Sequence, residues 1–430
     1  MILVNGSILS SDEIINILPT MEKRVCNTLQ KPLLDPMLVV EACHQLATKI
    51  EQGRYQELIE QLITEEHITA EQIETAKNMF KRESLLYKLN FELGKAPGNR
   101  KLSSADNKKD SICVRRMPLG VLFHIAAGNV DGLPAYSVIE GLLAGNINIL
   151  KPPAADHGLT IKLLNELVKL EPVLSDYIYV FDISSNDLTS MQTMTKCANA
   201  IVVWGGDTAI KEVRKLATPN TQIIEWGHKI SFAYVTKQGM SMDSELIDLA
   251  HHILSTKQLL CSSCQGVYLD THEESDIYHF SEKFITILDQ AARSYPSPGI
   301  GIRAQLTLLI YNQELEAYKG GKKIYRSENC SIIASNDKKL EVSFTYGNCW
   351  VKSLPREFII TRLHKYKGYL QTVGLVCGQE EREELSNYLL RAGATRVTHA
   401  GDMSRMFSGE AHDGEYPLQR YSKIVEFNES

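Results

Sequence analysis

The chain has 430 residues, 43% hydrophobic and 23% charged, with a formal net charge of −6. That composition describes a globular protein with room for two or three domains, and it excludes a disordered or fibrous chain. The acidic balance lacks the basic face that nucleic-acid binding needs, and no apolar run reaches the ~18 residues of a membrane span.

The chain opens on Met1-Ile2-Leu3-Val4, without a charged segment before its apolar residues, so no secretory signal is expected. Asn5-Gly6 between two short apolar runs predicts a tight hairpin. From Ile14 to Leu93 the pattern is helical, broken at Pro19, Pro32 and Pro36. Val39, Cys43, Leu46 and Ile50 recur at helical spacing. The polar stretch Ala96 to Lys109 reads as an exposed loop.

From Ile112 the texture changes to short apolar runs alternating with helix-length segments. Strands are expected over 119–125, 146–150, 177–181 and 200–204, with another opening at Ile223-Ile224. Helices are expected over 130–143, 161–170, 188–197 and 208–217. Such alternation builds βαβ units and a parallel, doubly wound sheet, whose ligands sit beyond the strand carboxyl ends. A second α/β unit follows Ile230, with strands over 232–235, 266–269 and 369–377 and helices over 244–255, 277–293 and 380–392. The stretch from Gly299 to Asp337 reads either way, and glycines between Gly401 and Gly414 mark a polar tail.

Three segments follow strand ends: Ala126-Ala-Gly-Asn129, Lys151-Pro-Pro-Ala154 and Gly205-Gly-Asp-Thr208. Each reads as either a plain βα turn or a cofactor loop. Gly205-Gly206 lies directly before a helix, where bare backbone can approach a phosphate. The GxGxxG dinucleotide fingerprint is absent. Nine scattered cysteines are not a disulfide framework and fit a reducing cytoplasm. Only Cys261 and Cys264 are close in sequence, and with no second CxxC or nearby His pair no metal site is expected. Cys261 in Leu260-Cys-Ser-Ser-Cys-Gln265, Glu225 in Glu-Trp-Gly-His-Lys229 and Asn129 supply a thiol, a carboxylate and an amide. Those are the parts of acyl transfer through sulfur: nucleophile, proton carrier and oxyanion donor. The plainer readings are a small core thiol, a salt-bridged strand-end carboxylate and a turn asparagine.

These motifs resemble the aldehyde dehydrogenase superfamily and, within it, the fatty acyl reductases of bacterial bioluminescence operons. The resemblance rests on Pro118-Leu-Gly-Val, Ala-Gly-Asn129, Leu143-Ala-Gly-Asn-Ile-Asn-Ile-Leu-Lys-Pro152, Glu225-Trp-Gly-His-Lys229 and the Cys261 loop. It extends through Gly409-Glu-Ala-His-Asp-Gly414 and Pro417-Leu-Gln-Arg-Tyr421. This sequence departs from the superfamily pattern at Leu259, where glutamine is usual, and at Cys264, where the acyl reductases commonly carry proline. The glutamate that usually holds the nicotinamide ribose has no clear counterpart.

The resemblance implies an α/β, aldehyde dehydrogenase-like fold with a Rossmann-like cofactor domain and an α/β catalytic domain. Its expected parts are a helical stretch 1–111 of the cofactor domain, an NADP-binding core 112–229, a catalytic domain 230–395 and a tail 396–430 serving oligomerisation. Lys151, Pro152, Ala154, Trp204, Gly205 and Gly206 would contact the cofactor. Relatives preferring NAD carry a glutamate where Ala154 stands; without that charge, and with Lys151, NADPH is favoured. The implied activity is NADPH-dependent reduction of a long-chain fatty acyl thioester to an aldehyde through an acyl-cysteine on Cys261. The acyl donor would be acyl-CoA or an acyl-carrying protein, and the enzyme a cytoplasmic homo-oligomer. An aldehyde dehydrogenase running the other way, or a non-catalytic interaction protein with the same fold, are the alternatives.

Overall fold

The computed structural model describes residues 1–64, 70–94, 100–103, 111–126, 132–154, 156 and 158–428. It divides into two compact units, Met1–Gly227 with Met406–Ser430, and His228–Arg405.

The first unit opens on β1 (Ile2–Val4) and β2 (Ser7–Leu9), an antiparallel hairpin. Asn5 (φ 48°) and Gly6 (φ 73°) both take the left-handed conformation that a two-residue hairpin turn demands. In the helical stretch, Pro36 occupies the first turn of the helix Pro36–Glu51, and the Asp35 side chain accepts from the Met37 N–H. That helix buries Val39, Val40, Cys43 and Leu46 along one face. Within the stretch Ala96 to Lys109, expected as a loop, Arg100–Ser103 instead forms β3, which pairs with β4 (Ser111–Pro118).

β5 (Val121–Ile125), β6 (Ile147–Lys151), β7 (Ile178–Phe181), β8 (Ala200–Trp204) and β9 (Gln222–Trp226) then form the parallel sheet. Its order is β2-β1-β7-β6-β5-β8-β9, with β1 antiparallel to β7. The inner strands are apolar on both faces because helices cover both. Two polar side chains interrupt them and pair with each other: His124 Nε2 lies 3.0 Å from Asn148 Oδ1. After β7 the chain crosses to the other side of β5, so the strand order reverses between β5 and β8. Parallel sheets open a ligand crevice at such a reversal.

The second unit carries β10 (Ile230–Val235), β11 (Cys264–Leu269), β12 (Lys322–Arg326), β13 (Ser331–Ser335), β14 (Asn348–Ser353), β15 (Leu370–Val376) and β16 (Arg396–His399). Their order is β12-β13-β14-β11-β10-β15-β16, parallel except at the β12–β13 pair. The segment that reads either way becomes a helix, Ile300–Ala317, followed by the β12–β13 hairpin. A boundary at 395 would cut off the edge strand β16, whose Arg396 pairs with Thr372. On β11 a glycine is compulsory at 266, because a Cβ there would meet the Trp350 ring at 2.1 Å.

The chain returns to the first unit for its tail. β17 (Ser422–Phe427) pairs antiparallel with β4, completing a three-stranded β17-β4-β3 sheet. Leu418 and Tyr421 are fully buried in the first unit's core. The Tyr421 carbonyl accepts from Asn146 Nδ2 at 2.9 Å. Leu418 and Tyr421, within the expected tail, thus belong to the first unit's core.

Candidate active site

Cys261 sits on the loop between the helix Asp243–Ser255 and β11, at the amino end of that strand. In this sheet the candidate nucleophile is thus opposite the carboxyl ends where parallel sheets usually bind ligands. Cys261 is part-exposed, whereas Cys264 is fully buried. Burial pushes the Cys264 thiol up to about 12, and its Sγ donates to the Gly266 carbonyl at 3.2 Å. A thiol so buried is inert, which sets Cys264 apart from part-exposed Cys261.

The Cys261 loop is held by polar groups from three strand ends. A β-bulge falls at Ser231, where the register shifts against both β11 and β15. Bulges re-aim side chains. The Ser231 hydroxyl donates to the Cys261 carbonyl at 2.6 Å and accepts from the Thr372 N–H at 3.0 Å. Gln258, 2% exposed, donates through Nε2 to the Cys264 carbonyl and accepts at Oε1 from the Gly347 N–H, both at 3.0 Å. Gln265 donates to the Gln258 carbonyl at 3.0 Å, and its Oε1 accepts from the N–H and hydroxyl of Ser343, also at 3.0 Å. Lys257 (φ 50°) and Gln258 (φ 60°) are both left-handed, a strained conformation for residues other than glycine. The two amides hold that strain in place. Sequence reasoning missed Ser231, although a lone serine in the apolar run Ile230-Ser-Phe-Ala-Tyr-Val235 was the available signal.

His252 supports the same loop from below, its Nε2 accepting from the Cys264 N–H at 3.2 Å. Burial lowers its imidazole to about 4, and burial does the same to His124 although Asn148 Oδ1 accepts from its ring. Both folded values lie below the unfolded histidine value of ~6.5. The unfolded chain therefore binds more protons below that pH, and stability present above ~6.5 is lost as pH falls toward 4. At pH 5 each histidine is expected to cost its unit about 2 kcal/mol relative to pH 7. Denaturant melts at the two pH values check this; equal midpoints would refute it.

The other predicted residues lie in the first unit. Lys151 ends β6 and is buried. Burial lowers its amine below the usual lysine value, against the opposing pull of Asp182. Pro152 is buried beside it and Ala154 is exposed. Gly206 caps the helix Asp207–Leu216, with nothing within 4 Å of where a Cβ would stand. Trp204 differs from expectation in its side chain. Its indole N–H donates to Ser137 at 3.1 Å, and its ring lies 5.5 Å from Trp226 and 5.0 Å from His412. The ring belongs to the first unit's core. Glu225 on β9 receives a two-pronged bond from Arg214, Nε to Oε1 at 2.6 Å and Nη2 to Oε2 at 2.9 Å. Asn129 lies outside the described residues. Among the described residues no group of three or more His, Cys, Asp or Glu could hold a metal ion, and no helix is long and apolar enough to cross a membrane.

The fold is that of the aldehyde dehydrogenases. A 3,6-anhydro-L-galactose dehydrogenase superposes with a TM-score of 0.71 at 15% identity, covering 99% of each chain. A glyceraldehyde-3-phosphate dehydrogenase from Methanocaldococcus jannaschii, solved with NADP, gives 0.67 at 15% identity over 98% of this chain and 95% of that one. Residues 34–424 match the model of the acyl-CoA reductase (LuxC) family, and the chain belongs to that family. It is 27% identical over 330 residues to long-chain acyl-protein thioester reductase 2 of Photobacterium leiognathi, covering 73% of this chain and 65% of that protein. The Photobacterium phosphoreum long-chain acyl-protein thioester reductase is 26% identical over 73% of this chain and 63% of its own length. The matched region thus spans less than two thirds of either relative.

Proposed function

We propose that this chain reduces long-chain fatty acyl thioesters to aldehydes with NADPH, through an acyl-cysteine on Cys261. The observation carrying the reading is the contrast between a part-exposed Cys261 on a clamped loop and a buried Cys264 three residues on, in a chain of the acyl-CoA reductase family. The thiolate of Cys261 attacks the thioester carbonyl and the carrier thiol leaves. The Cys261 backbone N–H and the Asn129 amide hold the oxygen as it turns negative. Glu225 moves the proton. With a hydride added to its acyl carbon the acyl-cysteine would become a thiohemiacetal, whose collapse frees the aldehyde and restores the thiol. The acyl donor is acyl-CoA or an acylated partner protein, the second suggested by the relatives' names.

The first unit suits NADPH. Lys151 is a buried cation at the carboxyl end of an inner strand, and exposed Ala154 offers no carboxylate to repel a 2′-phosphate. The open backbone at Gly206, directly before a helix, suits a pyrophosphate. The chemistry a bound NADPH supplies is transfer of a hydride to the acyl carbon.

Product analysis tests the reading. Long-chain acyl-CoA with NADPH is expected to yield fatty aldehyde, with kcat/KM about tenfold or more above that with NADH, and Lys151→Met to remove most of that preference. Fatty acid as the sole product, or oxidation of supplied aldehyde alone, would favour the dehydrogenase reading instead. Equal use of NADH and NADPH by the unmodified chain would overturn the cofactor assignment.

A further inference from the structure

The helix Ile300–Ala317 is apolar on two opposed faces. Its inner face carries Ile302, Leu306, Leu309 and Ile310, all buried or part-buried. Helical periodicity places a second set on the other side: Gly301, Ala304, Leu308, Tyr311, Leu315 and Tyr318. Tyr318 still has helical backbone angles at the helix end. Its ring and the side chains of Leu308, Tyr311 and Leu315 are 50–89% exposed. A helix apolar all round ordinarily has every side covered. The spacing of the outer set runs 3, 4, 3, 4, 3, the heptad repeat by which one helix seats on another. We propose that this face is the interface between two copies of the chain, which pair there as antiparallel helices.

The seam tapers, and the taper selects its partner. Its first two positions are the small Gly301 and Ala304, and its last two the large Leu315 and Tyr318. Antiparallel pairing sets the two heptad positions against each other. Gly301 of one copy then meets Tyr318 of the other, Ala304 meets Leu315, and Leu308 meets Tyr311. Small stands against large along the whole seam, whereas a parallel pair would set each residue against itself. The bordering Gln305, Thr307 and Asn312 are uncharged, and Glu314 falls beside Thr307 of the other copy, so like charges do not meet. The four large side chains with Ile300, itself 81% exposed, present on the order of 700 Å². A standard interface takes about 800 Å² per partner. So short a heptad run would not pair as a free peptide. Here the helix is already held by Ile310 and by Lys322, whose amine lies 2.6 Å from Glu316, so pairing pays no nucleation cost. The Arg326 guanidinium, 4.9 Å from the Tyr311 ring, steadies the middle of the seam. The neighbouring edge strand β12 carries Lys322 and Lys323, which discourage pairing strand to strand.

Sedimentation equilibrium on the full chain tests this, with folding followed by circular dichroism. The parent is expected at an even multiple of the 48.3 kDa chain mass. Leu308→Glu and Tyr311→Lys change exposed positions and should each fold as the parent does. Each should halve the assembly's mass, through a dissociation constant at this contact raised about 100-fold or more. Mixed in equal amounts, the two variants should pair again to within about tenfold of the parent's constant, because positions 308 and 311 face each other only in the antiparallel register. A monomeric parent, a folded single variant that assembles like the parent, or a mixture whose chains stay apart overturns the inference. None of these results bears on whether the chain reduces acyl thioesters, which the product analysis above decides separately.

Discussion

Cys261→Ala is expected to form no covalent adduct with long-chain acyl-CoA and to make aldehyde at least about 10³-fold more slowly than the parent chain. Intact mass with and without NADPH reads both. In the parent chain an acyl adduct should accumulate without NADPH and vanish, with aldehyde appearing, when NADPH is added. The argument is one of access and proton affinity. A thioester can reach part-exposed Cys261, while Cys264 has no exposure and a thiol pushed up to about 12. Cys264→Ala should therefore keep the adduct and most of the rate, at a stability cost of about 1–2 kcal/mol for the lost packing and the bond to Gly266. An adduct that survives Cys261→Ala and disappears in Cys264→Ala would reverse the assignment. The absence of any adduct on the parent chain would leave the fold standing and remove the acyl-cysteine mechanism.

The parts of this structure legible in the sequence are those encoded locally. Asn5-Gly6 specifies its turn because few residue pairs accept two successive positive φ values. The strands Ala200–Trp204 and Ile178–Phe181 are uninterrupted apolar runs because both faces of a parallel sheet are covered. What stayed hidden depends on distant partners. Gly401 to Gly414 reads as a polar tail because of its glycines and charges, yet His412 within it packs on Trp204 and Trp226, and Tyr421 just beyond it fills the first unit's core. Trp204 was expected at the cofactor, and nothing local reveals that Ser137, far back in the chain, takes its N–H. At the site, the residue types were legible and their supports were not. Cys261 and Glu225 stand out by motif, while Ser231 and Arg214 gain meaning only once a bulge and a helix bring them to those residues.

Gln258 is the sharpest case, because the sequence shows it one place away from where the superfamily's glutamine usually stands. A left-handed turn at Lys257 and Gln258 sends the side chain inward, where its amide spans the Cys264 carbonyl and the Gly347 N–H. Gln258→Ala would leave both backbone groups buried without these partners, at about 1–3 kcal/mol each. The second unit should accordingly unfold at a denaturant midpoint lower by an amount equivalent to about 2–4 kcal/mol. Loss of the clamp should also free the loop that aims Cys261. A displacement of about 1 Å at a reacting atom can cost ~10²-fold, so the acylation rate, read by intact mass over time, is expected to fall by about that factor. Gln258→Glu separates the two effects: a carboxylate can accept from Gly347 but cannot donate to the Cys264 carbonyl, so half the clamp remains. Its acylation rate should lie between those of the parent chain and Gln258→Ala. If Gln258→Ala melts earlier yet acylates at the parent rate, the amide serves stability alone, and the aim of Cys261 must come from Ser231 and Gln265.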